Sequence, residues 1–126
     1  MKMTEIIYKE ESYKIIGLCM EIHKILGKGF SEIVYKDALE YEFNINKLPF
    51  EREKEFTVKY KDIILPHKFY ADFVVDEKII LEIKSVNEVI KEHIAQTINY
   101  LKISDYRLGI IVNFNQNSLE TKRIVL

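Results

Sequence analysis

Between Phe69 and Ser85 two runs of β-branched and aromatic residues, FYADFVV and KIILEIKS, carry charge in their interiors, and no other stretch limits the fold so tightly. Asp72 interrupts the first run, while Glu82 and Lys84 follow Ile79-Ile80-Leu81 with only Ile83 between them. Asp76-Glu77 reads as a tight hairpin turn joining two strands. Side chains alternate along a strand, so Glu82 and Lys84 share one face and Ile83 takes the other. Apolar residues on both faces mark interior strands, where an unpaired carboxylate costs several kcal/mol unless it finds a partner or takes up a proton. A metal ion is one such partner.

The flanking segments supply the layers that such strands need. Ile15, Leu18, Cys19, Ile22, Ile25 and Leu26 recur at helical steps and predict an amphipathic helix over residues 8–26, stopped by Gly27-Lys28-Gly29. Ser31 is a candidate N-cap for a second helix over 32–46, with Val34, Ala38, Tyr41 and Ile45 as its buried stripe. Residues 50–60 alternate as a first strand with one charged face, and Pro66-His67 is expected to break the chain before the Phe69 strand. Asn87 is the expected cap of a third helix reaching Ile103, its stripe formed by Ile90, Ile94, Ile98 and Leu101. His93, Gln96 and Tyr100 cluster on a flank beside that stripe. LGIIV at 108–112 reads as a doubly buried strand, and Arg123 to Leu126 as a short edge strand. The helix before LGIIV should cross over a sheet with at least one parallel pair, which makes the chain an α/β protein.

A length of 126 residues suits a single domain over 1–126. The composition, 48% hydrophobic and 31% charged, is that of a soluble globular chain, with no run long enough to span a bilayer and an N-terminus unlike a signal peptide. The expected location is therefore cytoplasmic, with no membrane partner. Cys19 is the sole cysteine, which excludes an internal disulfide and suits a small core residue. The net charge of −1 argues against a generic electrostatic grip on nucleic acid. Carboxylates that hold divalent ions lower that formal charge, however, while presenting a positive site once loaded.

Magnesium and manganese prefer oxygen ligands and leave positions to water and phosphate, so two or three converging carboxylates suffice. Asp72 and Glu82 face each other across the hairpin if the register is right, and Lys84 is placed to orient a water or to stabilise charge on a phosphate. Alone, this D-x9-E-x-K spacing is also compatible with a solvated ion pair on a half-exposed strand. By spacing alone, Glu32 equally suits an acid countering a helix dipole.

Gly29-Phe30-Ser31-Glu32-Ile33-Val34-Tyr35 matches G-x-x-E-x-x-Y, and the chain here resembles the GxxExxY proteins, a family grouped with the PD-(D/E)XK nuclease superfamily. The resemblance continues through Ala71-Asp72, Glu82-Ile83-Lys84 and Asn113-Phe114. Gln96-Thr97-Ile98-Asn99-Tyr100 is similar to the Q-x-x-x-Y motif of the RecB-like branch. It implies a restriction-endonuclease-like αβββαβ core, a mixed central sheet flanked by helices, with the first helix as an addition. It also implies a Mg2+ or Mn2+ site of Asp72, Glu82, the Ile83 carbonyl and Glu32, with Lys84 as the catalytic lysine and Gln96 orienting lysine, water or substrate. Tyr100, Tyr35 and His93 are the implied substrate contacts.

The expected activity is metal-dependent hydrolysis of phosphodiester bonds in nucleic acid, DNA before RNA. Low basicity points to action as a homo-oligomer or with a protein partner. The alternatives are a non-catalytic module that keeps the fold to bind nucleic acid or protein, and acids that serve only as structural salt bridges.

Overall fold

The computed structural model describes residues 6–126, which form three helices and one five-stranded sheet. In chain order these are α1 (Lys9–Leu26), α2 (Glu32–Ile45), β1 (Phe50–Tyr60), β2 (Ile63–Val75), β3 (Ile79–Lys84), α3 (Lys91–Ser104), β4 (Leu108–Asn113) and β5 (Glu120–Val125). The strands lie side by side in sequence order, every pair antiparallel except β3 with β4. That parallel pair is joined by α3, as a crossover requires. The order from α2 to β4 is αβββαβ, with α1 added in front, so the expected restriction-endonuclease-like α/β architecture is the one observed. No described helix is long and apolar enough to cross a membrane.

Alternation along the central strands divides the core between two faces. Phe73, Val75, Ile79, Leu81, Ile83, Ile110 and Val112 pack against Ile15, Cys19, Ile22, Tyr35, Leu39 and Phe43 of α1 and α2. On the other face Ala71, Val74 and Ile80 meet Tyr100 and Leu101 of α3. The β2–β3 hairpin closes through Asp76 and Glu77, both left-handed at φ 55° and 57°, with the Lys78 N–H donating to the Val75 carbonyl at 3.2 Å. Two consecutive positive φ values define a type I′ turn, whose twist matches the flanking strands. Gly27 and Gly29, at φ 71° and 106°, make the reversal between α1 and α2 in a region that side chains disfavour.

Several local expectations are corrected. The buried stripe of α2 is Tyr35, Leu39 and Phe43, and Tyr41 and Ile45 are exposed. Apolar residues surround this helix, so periodicity leaves its orientation open, and the larger side chains win the sheet-facing side. Ile25 is exposed at the end of α1. Ser31 holds the N-cap position of α2 without a side-chain cap bond. Pro66-His67 does not break the chain, because β2 absorbs it as a register irregularity opposite the stretch from Thr57 to Lys59. Bulges are where a strand tolerates proline. The third helix starts at Lys91 with Ile90, not Asn87, at its N-cap. The last strand begins at Glu120, earlier than the expected Arg123.

Candidate active site

The ladder between β2 and β3 runs through Val75↔Ile79, Val74↔Ile80 and Phe73↔Leu81, and the next rung is built from side chains. The Asp72 N–H donates to Glu82 Oε2 at 2.8 Å, and the Ile83 N–H donates to Asp72 Oδ2 at 2.8 Å. Two carboxylates thus fill the gap where the strands part, and they satisfy backbone donors that would otherwise be buried without partners. Glu82 is 3% exposed. β1 departs from regularity at the same level. Its pairs with β2 include Arg52↔Phe73 and Lys54↔Ala71 but skip the intervening rung, where Glu53 is left-handed at φ 52°.

On one side the gap is approached by α2. Glu32 is half-buried in its first turn, and its Oε2 accepts a long 3.4 Å bond from the Ser85 N–H, one residue past Lys84. Ser85 Oγ also donates to the Phe30 carbonyl at 2.6 Å, tying the α1–α2 loop to the end of β3. Tyr35, expected to touch substrate, is fully buried. Its hydroxyl donates to the Gly27 carbonyl at 2.6 Å and accepts from the Phe30 N–H at 3.2 Å, while its ring stacks on Phe114 at 4.3 Å. Burial and a satisfied hydroxyl make it the residue that holds the turn before Glu32, which corrects the substrate-contact expectation.

Lys36 and Glu53 did not emerge from the sequence reading. Lys36 Nζ donates to Asp72 Oδ1 at 3.1 Å and is also paired with Glu53 Oε1. Burial works against its charge, but the bonds to Glu53 and Asp72 outweigh that and raise its pKa above the ordinary lysine value. Its place one helical turn after Glu32 was a usable signal, since residues four apart share a face. Nothing local in the sequence singles out Glu53.

From the other side comes α3. Tyr100 is buried beneath the carboxylates, and burial, followed by the negative charges of Glu82 and Asp72, pushes its phenol up to about 12. Gln96 is exposed on the same helix, one turn earlier. His93 is half-buried, and its Nδ1 accepts from the Ile90 N–H at 3.1 Å, so it caps α3. Lys84 is half-buried at the end of β3, and its charge favours ionisation of Glu82. The segment after Lys84 is clamped by buried Asn113, whose amide accepts from the Val86 N–H at 3.0 Å and donates to the Val86 carbonyl at 2.9 Å.

The electrostatics of the pair bear on a cation. Burial, and then the charge of Asp72, raise the Glu82 carboxyl to about 8 against the partial relief from the Asp72 N–H, Lys84 and Lys36. A buried and a half-buried carboxylate facing each other, presented as oxygen donors, fit a hard divalent ion such as magnesium or manganese. Among the described residues no three acidic, histidine or cysteine side chains are grouped closely enough to hold an ion as a set. An ion held here would have Asp72 and Glu82 as its side-chain donors, with backbone, water or substrate filling its other positions.

Comparison with known proteins agrees with this arrangement at the level of the fold and family. A family model described as the PD-(D/E)XK nuclease superfamily matches residues 9–124, and the chain belongs to that superfamily. The crystal structure of SSO0001 is similar over 94% of this chain, with a TM-score of 0.58 and 22% sequence identity. This chain spans 57% of that one, and the likeness concerns the fold. A search of curated proteins found no match.

Proposed function

We propose that this protein is a nuclease that hydrolyses phosphodiester bonds in nucleic acid, with DNA as its substrate and a magnesium or manganese ion held by Asp72 and Glu82. The observation that carries the reading is the pair of opposed carboxylates in the gap between β2 and β3, with Lys84 two residues beyond Glu82 on the same strand face. Under this reading the Ile83 carbonyl and Glu32, through water, complete the ion's surroundings. A divalent ion so held would supply a bound water of lowered pKa and polarise the scissile phosphate.

The chain's own groups do the rest. Lys84 stabilises charge growing on the phosphate or orients the attacking water. Gln96, exposed on α3, orients substrate or water, and Tyr100 supports the pair from beneath. Placement among the GxxExxY proteins with a RecB-like Q-x-x-x-Y motif rests on Gly29, Glu32, Tyr35, Gln96 and Tyr100.

One observation favours a second reading, a non-catalytic module that keeps the fold. Both Asp72 oxygens and one Glu82 oxygen already have protein partners. Incubation of plasmid, linear and single-stranded DNA, and of RNA, with magnesium or manganese separates the two. Cleavage by the wild type that falls about a hundredfold or more in Glu82→Gln and Lys84→Ala supports the nuclease. Equal cleavage by all three proteins, or none despite bound manganese, overturns it.

A further inference from the structure

Lys36 is the one cation in contact with the carboxylate pair among the described residues, and it approaches from a helix rather than from the strands that carry the acids. Its side chain is 11% exposed, and it divides its bonds between Asp72 Oδ1, in the gap, and Glu53, which is half-exposed. Glu53 reaches it from a left-handed backbone position inside β1, on the rung where β1 and β2 cease to pair regularly. A glutamate has no intrinsic preference for that conformation in a strand, and such departures persist only where the surroundings impose them.

We propose that Lys36 is a built-in cation that stands at Asp72 in competition with the divalent ion, and that Glu53 is the partner that receives its ammonium when the ion binds. The proposal rests on the divalent-ion reading of Asp72 and Glu82 given above. The physical basis is charge. An ammonium and a divalent ion on one carboxylate repel strongly, because protein screens close charges far less than water does. Glu53 is exposed enough to take the ammonium without burying another charge, and Lys36 has the flexible stem to swing between the two acids. Two consequences follow. Without the ion the acid pair stays partly neutralised and the gap stays assembled, and affinity for the ion is held down by the lysine it must displace. Lys36 is then a positioning residue, acting through Asp72.

Manganese titration calorimetry on the full chain tests this with Lys36→Met, Glu53→Gln and the double variant. Lys36→Met should bind manganese about tenfold tighter or better, an effect that damage to a merely structural lysine does not produce. Glu53→Gln leaves Lys36 on Asp72 and should bind several-fold weaker. In the Lys36→Met background the same Glu53 change should have little effect, since Glu53 acts through the lysine. Melting should show Lys36→Met less stable than wild type in chelator and more strongly stabilised by manganese.

If Lys36→Met fails to fold, Glu53→Gln still decides, because unchanged or tighter binding in that variant overturns the proposal. Lys36→Met binding no tighter than a wild type that does bind overturns it as well. So does an equal loss from Glu53→Gln in both backgrounds, which would make Glu53 a source of direct attraction. A wild type that binds no manganese at millimolar concentration overturns the divalent-ion reading itself, and this proposal with it.

Discussion

Replacing Gly109 with alanine should push α3 off the sheet, and the size of the effect can be worked from one contact. Gly109 pairs with Ile80 and Ile124 in the sheet, on the face that α3 covers. A Cβ there would lie 2.5 Å from Thr97 Cγ2 and 3.5 Å from Leu101 Cδ1. Carbon atoms need about 3.5–4.0 Å, so the helix or Thr97 must give by about 1 Å. Thr97 is 1% exposed, stiff at χ1, and donates from Oγ1 to the His93 carbonyl at 3.1 Å, so it cannot rotate away freely. The overpacking should cost about 1–3 kcal/mol, partly offset by the lower entropy of the unfolded alanine chain. Thr97→Ser removes the offending methyl and keeps the hydroxyl, at about 1 kcal/mol for the buried carbon. In the double variant the alanine methyl occupies the space the threonine gave up, so stability should return close to wild type, with a coupling of about 1–3 kcal/mol. Urea denaturation of the four proteins, followed by far-ultraviolet circular dichroism, measures it. Additive losses would refute the close seating of α3 on β4, and with it the account of how Tyr100 is brought beneath Asp72 and Glu82.

The raised Glu82 carboxyl predicts an unusual pH dependence in metal-free protein. Between its ordinary value of 4.5 and the folded value of about 8 the folded state holds a proton that the unfolded chain has released. Stability should therefore fall as pH rises through that interval and be insensitive to this group outside it. Glu82→Gln should remove the slope, and parallel denaturation midpoints for the two proteins would refute the assignment. Tyr35→Phe keeps the ring on Phe114 but strands the Gly27 carbonyl and the Phe30 N–H, so it should cost about 1–3 kcal/mol in denaturant. Under the nuclease reading it should lower both cleavage and manganese affinity through the displaced Glu32, and cleavage equal to wild type would refute the positioning role.

The element order, the turn at Asp76-Glu77 and the opposition of Asp72 to Glu82 were legible because each is local or follows from strand alternation. Once the turn fixes the hairpin, Phe73 must face Leu81 and the acids must come next. The orientation of α2 was not legible, since Tyr35-Leu39-Phe43 and Val34-Ala38-Tyr41 are both apolar stripes and only the sheet chooses between them. Pro66-His67 looked like a break because the irregularity that accommodates it depends on the partner strand. Lys36 and Glu53 lie far from Asp72 in sequence, and surface-type charges carry no periodic mark of the contact they make.

The rung of carboxylates between β2 and β3 has an evolutionary consequence. Asp72 and Glu82 accept backbone hydrogens that the sheet must satisfy whether or not the chain cleaves anything, so the signature can persist in relatives that lack activity. Amides at both places would keep those bonds while discarding the charge. In related chains, an Asn or Gln there would mark a sheet kept intact without the acids that the proposed nuclease needs.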